Sequence, residues 1–91
     1  MSKVGRGAMF INKMASGANN ICGRNVYHFR RELGISQREL ADRLQIHGLY
    51  VDKNAIQRIE AGKRFVTDIE LLSLAAVFAR SVDALLETEQ K

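Results

Sequence analysis

The 91-residue sequence predicts an all-α fold, a compact domain of five short helices, and three observations carry that prediction. Apolar residues recur with the spacing of one helix face through the segments that follow Ile21. Residues suited to helix N-caps, Ser36, Asp52 and Thr67, open those segments, and Gly34, Gly48 and Gly62 punctuate them. Proline is absent, so nothing breaks a helix as proline would, and no stretch alternates apolar and polar residues for a useful length.

Taken in order, residues 1–20 hold Gly5, Gly7, Gly17, Ser16 and Asn19-Asn20 without periodicity, and read as a flexible basic arm carrying Lys3, Arg6 and Lys13. Such an arm reads first as plain disorder, and alternatively as a contact for a DNA backbone or minor groove. Residues 21–91 form the folded domain. Its first helix carries Val26, Phe29 and Leu33 as one stripe and stops at Gly34. Ser36 and Glu39 make a capping box for a second helix from Gln37, with Leu40, Ala41 and Leu44 inward. Asp52 caps a third helix, Lys53–Ala61, that buries Ala55, Ile56 and Ile59. Thr67 and Glu70 make a second capping box. The helix they open is apolar nearly all round (Ile69, Leu71, Leu72, Leu74, Ala75, Val77, Phe78), which predicts a central element covered on most sides. Val82, Leu85 and Leu86 stripe a short fifth helix before a solvated end.

Composition narrows the function. The formal charge is +4 and unevenly placed: residues 1–66 carry 12 Lys/Arg against 5 Asp/Glu, and residues 67–91 carry 2 against 5. A basic front and an acidic back suit a protein that turns one face to a polyanion, although a merely basic soluble protein has the same count. The single cysteine, Cys22, at the domain edge, makes no internal disulfide and suits a reducing, cytoplasmic setting. No apolar run spans a bilayer, so no membrane role is expected. His28 and His47 have no ligand partners at metal spacing, so no metal and no cofactor is expected. Nor is there a nucleophile–base pair, a glycine-rich phosphate loop or a carboxylate pair, which argues against an enzyme and leaves no catalytic residues to name. Tyr27 reads as partial core, and Tyr50 as a phosphate contact, a partner contact or core filling.

The informative surface is on the third helix. With 55, 56 and 59 inward, the opposite face carries Lys53, Asn54, Gln57 and Arg58. Lys and Arg donate to guanine O6 and N7, and Asn and Gln pair with adenine N6 and N7. The same side chains are common on an ordinary solvated face, and alone they do not decide.

The wider string does. Val26-x-x-Phe29-Arg30-x-x-x-Gly34-Ile35-Ser36-Gln37-x-x-Leu40-Ala41-x-x-Leu44 resembles the phage-repressor family of helix-turn-helix proteins, the lambda-repressor-like or xenobiotic-response-element group. The resemblance continues through Ala55-Ile56-Gln57-Arg58-Ile59-Glu60-x-Gly62-Lys63-Arg64 and Leu71-x-x-Leu74-Ala75-x-x-Phe78-x-x-Ser81-Val82-x-x-Leu85-Leu86, so that it covers residues 23–87. It implies a five-helix DNA-binding domain in which Lys53, Asn54 and Arg58 read bases, with Gln57 secondary. Gln37 would meet a phosphate at the start of helix 2, and Lys63 and Arg64 would contact the backbone. Arg30 and Glu60 look like an ion pair between helices 1 and 3, the alternatives for Arg30 being a phosphate contact or a free charge.

The chain departs from the common members between helices 2 and 3, where Gln45–Asp52 is longer by more than a helical turn. Helix 2 is expected to extend to about His47, with Leu49 or Val51 packing back on the core. A subset with this longer connection carries Arg-x-Val-Thr-Asp-x-Glu after helix 3, and residues 64–70 look like it. The implied function is a sequence-specific regulator of transcription, a repressor, bound to double-stranded DNA as a homodimer on an inverted repeat. The acidic back and fifth helix would form the dimer side. The alternative is an antitoxin-type protein that binds a protein partner as well as its own promoter.

Overall fold

Local chemistry sets the helix starts. In the computed structural model, which describes residues 16–88, five helices form: α1 (Gly23–Leu33), α2 (Gln37–Ile46), α3 (Lys53–Glu60), α4 (Asp68–Phe78) and α5 (Val82–Leu86). Ser36 Oγ accepts the Glu39 N–H at 3.0 Å while the Glu39 carboxylate accepts the Ser36 N–H at 2.9 Å. Thr67 and Glu70 repeat the arrangement at α4, Asp52 caps α3, and Ser81 caps α5. α1 ends at Gly34 with φ 70°, a left-handed turn that glycine takes without cost. α4 ends the same way at Ala79, with φ 55° on a residue that has a Cβ.

The core gathers Val26 from α1, Leu40 and Leu44 from α2, Ile56 and Ile59 from α3, Leu74 and Phe78 from α4, and Leu85 from α5. Phe29 stacks edge-on against Phe78, ring centres 5.6 Å apart. α3 lies against both α1 and α2, so its roll is determined by two neighbours. Asn25 Nδ2 donates to Leu85 O and Glu87 O, fastening the chain beyond α5 to α1.

The expected extension of α2 is present: the helix ends at Ile46, His47 is its C-cap, and Gly48 turns the chain with φ 87°. Leu49 and Val51 then both pack on the core while Tyr50, between them, points out. α3 ends one residue before the expected boundary, with Ala61 as its C-cap.

Three expectations are corrected. α4 is not covered on most sides: Leu74, Ala75 and Phe78 are buried, but Ile69 is 70% and Leu72 63% exposed, because α2, α1 and α5 all pack on one side of it. Leu33 is 44% exposed; the buried line of α1 is Gly23, Val26 and Arg30, and it is preceded by Cys22. Cys22 is interior, not at the domain edge, and burial pushes its thiol up to about 11.

The arm assigned to residues 1–20 lies mostly outside the described residues. Its last two residues are anchored: the Asn19 N–H donates to Gly62 O at 2.7 Å and Asn20 Nδ2 to Arg64 O at 2.7 Å. Among the described residues no helix is long and apolar enough to cross a membrane.

Candidate nucleic-acid interface

Ala55, Ile56 and Ile59 are buried, which turns the other side of α3 to solvent. Lys53, Asn54, Gln57 and Arg58 are all exposed there, and none has a side-chain partner among the described residues. A helix face that carries four unpaired hydrogen-bonding side chains over two turns keeps every donor available for a ligand.

The helix behind that face is held by a buried polar cluster. Arg30 Nε donates to Glu60 Oε2 at 2.6 Å and Nη2 to Oε1 at 3.1 Å, with the two side chains 10% and 6% exposed. The same guanidinium reaches Ile35 O through Nη1 at 2.9 Å, so one side chain joins α1, the α1–α2 turn and the end of α3. Its bond to Glu60 raises the Arg30 pKa above the usual arginine value. Gln37 adds a third donor to Glu60, Nε2 to Oε1 at 3.0 Å. Gln37 is therefore partly engaged with the protein, and one Nε2 proton is left over.

The carbonyl end of α3 is satisfied from outside the helix. Asn20 Nδ2 donates to Ile59 O and Arg64 O, and Asn20 Oδ1 accepts the Gly23 N–H at 2.7 Å. Gly23 sits so close to Ile59 O that a Cβ there would overlap it. Asn19 Nδ2 donates to Lys63 O at 3.0 Å.

Beyond α3, Lys63 is exposed and has no ion-pair partner among the described residues. Arg64 is placed differently. Nη1 and Nη2 grip Glu70 at 3.0 Å each, and Nη1 also donates to Phe65 O. The pair raises the arginine pKa and holds the Glu70 carboxyl below the usual carboxylate range. The guanidinium is thus directed at the first turn of α4.

Sequence reasoning missed Arg38. It is exposed at the second residue of α2 and lines one cleft with Lys53 and Asn54. The signal was present: with 40, 41 and 44 inward, residue 38 falls on a flank of α2. It also missed Asn19 and Asn20, whose partners lie some forty residues along the chain and leave no local trace.

Two helices in succession, the second locked by the first and by α1 and presenting its polar face outward, define a helix-turn-helix. The helix-turn-helix family model matches residues 26–85, and the chain belongs to that family. The five-helix arrangement is the lambda-repressor-like one. The P22 c2 repressor protein, solved in complex with synthetic operator 9T in the presence of Tl+, has a similar fold. Its TM-score is 0.64 over 77% of this chain and 98% of its own, at 24% identity. The restriction-modification controller protein C.AhdI from Aeromonas hydrophila is similar with a TM-score of 0.61 and 25% identity, over 70% of this chain and 86% of its own. No curated protein matches the chain in sequence.

Proposed function

We propose that this protein is a DNA-binding regulator of transcription that reads a specific duplex sequence with the exposed face of α3. The observation that carries the reading is the contrast within that helix: its buried side is fixed by Ile56, Ile59 and the Arg30–Glu60–Gln37 cluster, and its outer side is unpaired. A reader needs both, since base discrimination requires donors held in register. Lys53, Asn54 and Arg58 contact base edges in the major groove, and Gln57 assists. At the start of α2, the first two backbone N–H groups and the spare Gln37 proton meet a phosphate, with Arg38 alongside. Lys63 meets the backbone after α3. Arg64, gripping Glu70, positions the start of α4 and keeps its Nε and one Nη2 proton for the backbone.

The protein acts in the cytoplasm as a homodimer on an inverted repeat and represses by occupying a promoter. Two copies are favoured because one small module covers little DNA. The exposed Ile69 and Leu72 on acidic-side helix α4 give a second copy an apolar surface. The similarity to an operator-bound repressor supports the repressing role.

The test is fluorescence anisotropy at physiological salt with a duplex from the gene's own upstream region and a scrambled duplex of the same composition. The upstream duplex binds roughly 10³-fold or more tightly. Arg58→Ala removes that margin, and Lys63→Ala weakens both duplexes alike. Equal, weak binding to both duplexes would remove the regulator reading.

A further inference from the structure

We infer that Tyr50, carried on the long α2–α3 connection, is a DNA-backbone contact whose phenol donates to a phosphate on the Arg58 flank of the recognition helix. The inference rests on the regulator reading and adds to it a residue outside both helices of the motif.

Three observations support it. Tyr50 is 74% exposed, so it fills no core position. Its neighbours Leu49 and Val51 both pack on the core, and Leu49 N–H donates to Leu44 O at 3.0 Å, so the segment that bears the ring is tied down on each side. Tyr50 also lines one cleft with Gln45, Asp52, Ala55, Arg58 and Arg64, and so borders the flank of α3 from which Arg58 projects.

The charges around that cleft balance, so a phosphate meets no net repulsion there. Arg58 is unpaired, and Arg64 is balanced by Glu70. Asp52 is the remaining carboxylate, and it accepts the Ala55 N–H as the N-cap of α3. With Arg58 turned to the bases, the phenol is the donor on that flank that complements a phosphodiester, which offers only acceptors. The phenol has no protein partner among the described residues. A connection longer by about a turn thereby does more than join two helices: it brings a donor alongside the reading helix.

The full chain is tested as Tyr50→Phe, Tyr50→Ala and, as a control on the other tyrosine, Tyr27→Phe. Anisotropy titrations use the upstream and scrambled duplexes across a salt series. Tyr50→Phe is expected to weaken binding to both duplexes by a similar factor, about tenfold or more, because a single hydrogen bond to a charged group is lost. The slope of log K against log salt stays that of the wild type, since no cation is removed, whereas Lys63→Ala lowers it by about one. Tyr50→Ala loses at least as much with an unchanged thermal midpoint, and Tyr27→Phe binds as the wild type does. Wild-type affinity for Tyr50→Phe overturns the inference, as does a loss confined to the upstream duplex, which would make Tyr50 a base reader. A wild type that shows no preference for the upstream duplex sinks sequence-specific regulation instead, and the backbone contact is then decided by the scrambled-duplex loss alone.

Discussion

Removing Arg30 tests the frame that holds the recognition helix. Arg30→Met deletes both bonds to Glu60 and the bond to Ile35 O, leaving the 6%-exposed Glu60 side chain with Gln37 alone. Breaking a buried ion pair from one side costs about 3–5 kcal/mol, because the surviving charge stays desolvated. Gln37 retains part of the compensation for Glu60, so the lower end applies, about 3 kcal/mol. In a domain of this size each kcal/mol moves the thermal midpoint by about 4–8 °C, so a fall of at least about 12 °C is expected. Urea denaturation at pH 7 of the wild type, Arg30→Met, Glu60→Leu and the double variant measures the free energies, and thermal melts of the same proteins the midpoints. The double variant is expected to be less destabilised than the two single losses added together, because it leaves neither charge stranded. Single losses under about 1 kcal/mol, and additive ones, would show that the pair behaves like an exposed salt bridge and would refute the reasoning.

Other perturbations bear on separate features. Gly23→Ala should destabilise by about 3 kcal/mol in thermal melts, since its Cβ would overlap the Ile59 carbonyl and α3 would have to shift; helix propensity alone predicts the opposite sign. The carboxyl of Glu70 is held low by Arg64, so its contribution to stability is complete above the ordinary carboxyl pKa of 4.5 and is lost as pH falls through the lower folded value. Glu70→Gln should therefore flatten the stability-against-pH curve below about pH 4.5, and an unchanged acid limb would contradict the pairing. Cys22, pushed up to about 11 from 9.0 by burial, holds about a hundredfold less thiolate at pH 8 than an open thiol. Iodoacetamide should label it at the rate of unfolding, and prompt labelling of the folded protein would place it at the surface.

The parts of the fold that were legible are those governed by near neighbours in sequence. Ser36 with Glu39, Asp52, and Thr67 with Glu70 each announce a helix start through bonds spanning three residues, and the structure makes those bonds. The burial of Ala55, Ile56 and Ile59 followed from spacing, and with it the outward direction of Lys53, Asn54, Gln57 and Arg58. α4 was harder because a helix apolar all round has no preferred face; its packing partners decide, and they leave Ile69 and Leu72 outside. Cys22 and Leu33 were misplaced for a related reason. The two lie eleven positions apart on nearly the same face of α1, so their difference is one of position along the helix: Cys22 precedes the end where Gly23 approaches Ile59 O, and Leu33 is the last helical residue before the Gly34 turn. Arg64 reads as a free cation next to Lys63 until the chain folds and brings Glu70 within reach, and Asn20 reads as loop until the end of α3 arrives beside it.

The central claim, that α3 reads base edges in the major groove, is tested most directly by replacing guanines of the bound upstream duplex one at a time with 7-deazaguanine. The substitution removes the N7 acceptor and leaves Watson–Crick pairing and the minor groove as they were. The account predicts that at least one replacement weakens the wild type by about tenfold and leaves Arg58→Ala unaffected. Equal wild-type affinity at every replaced guanine, with binding competed instead by a minor-groove ligand, would contradict it.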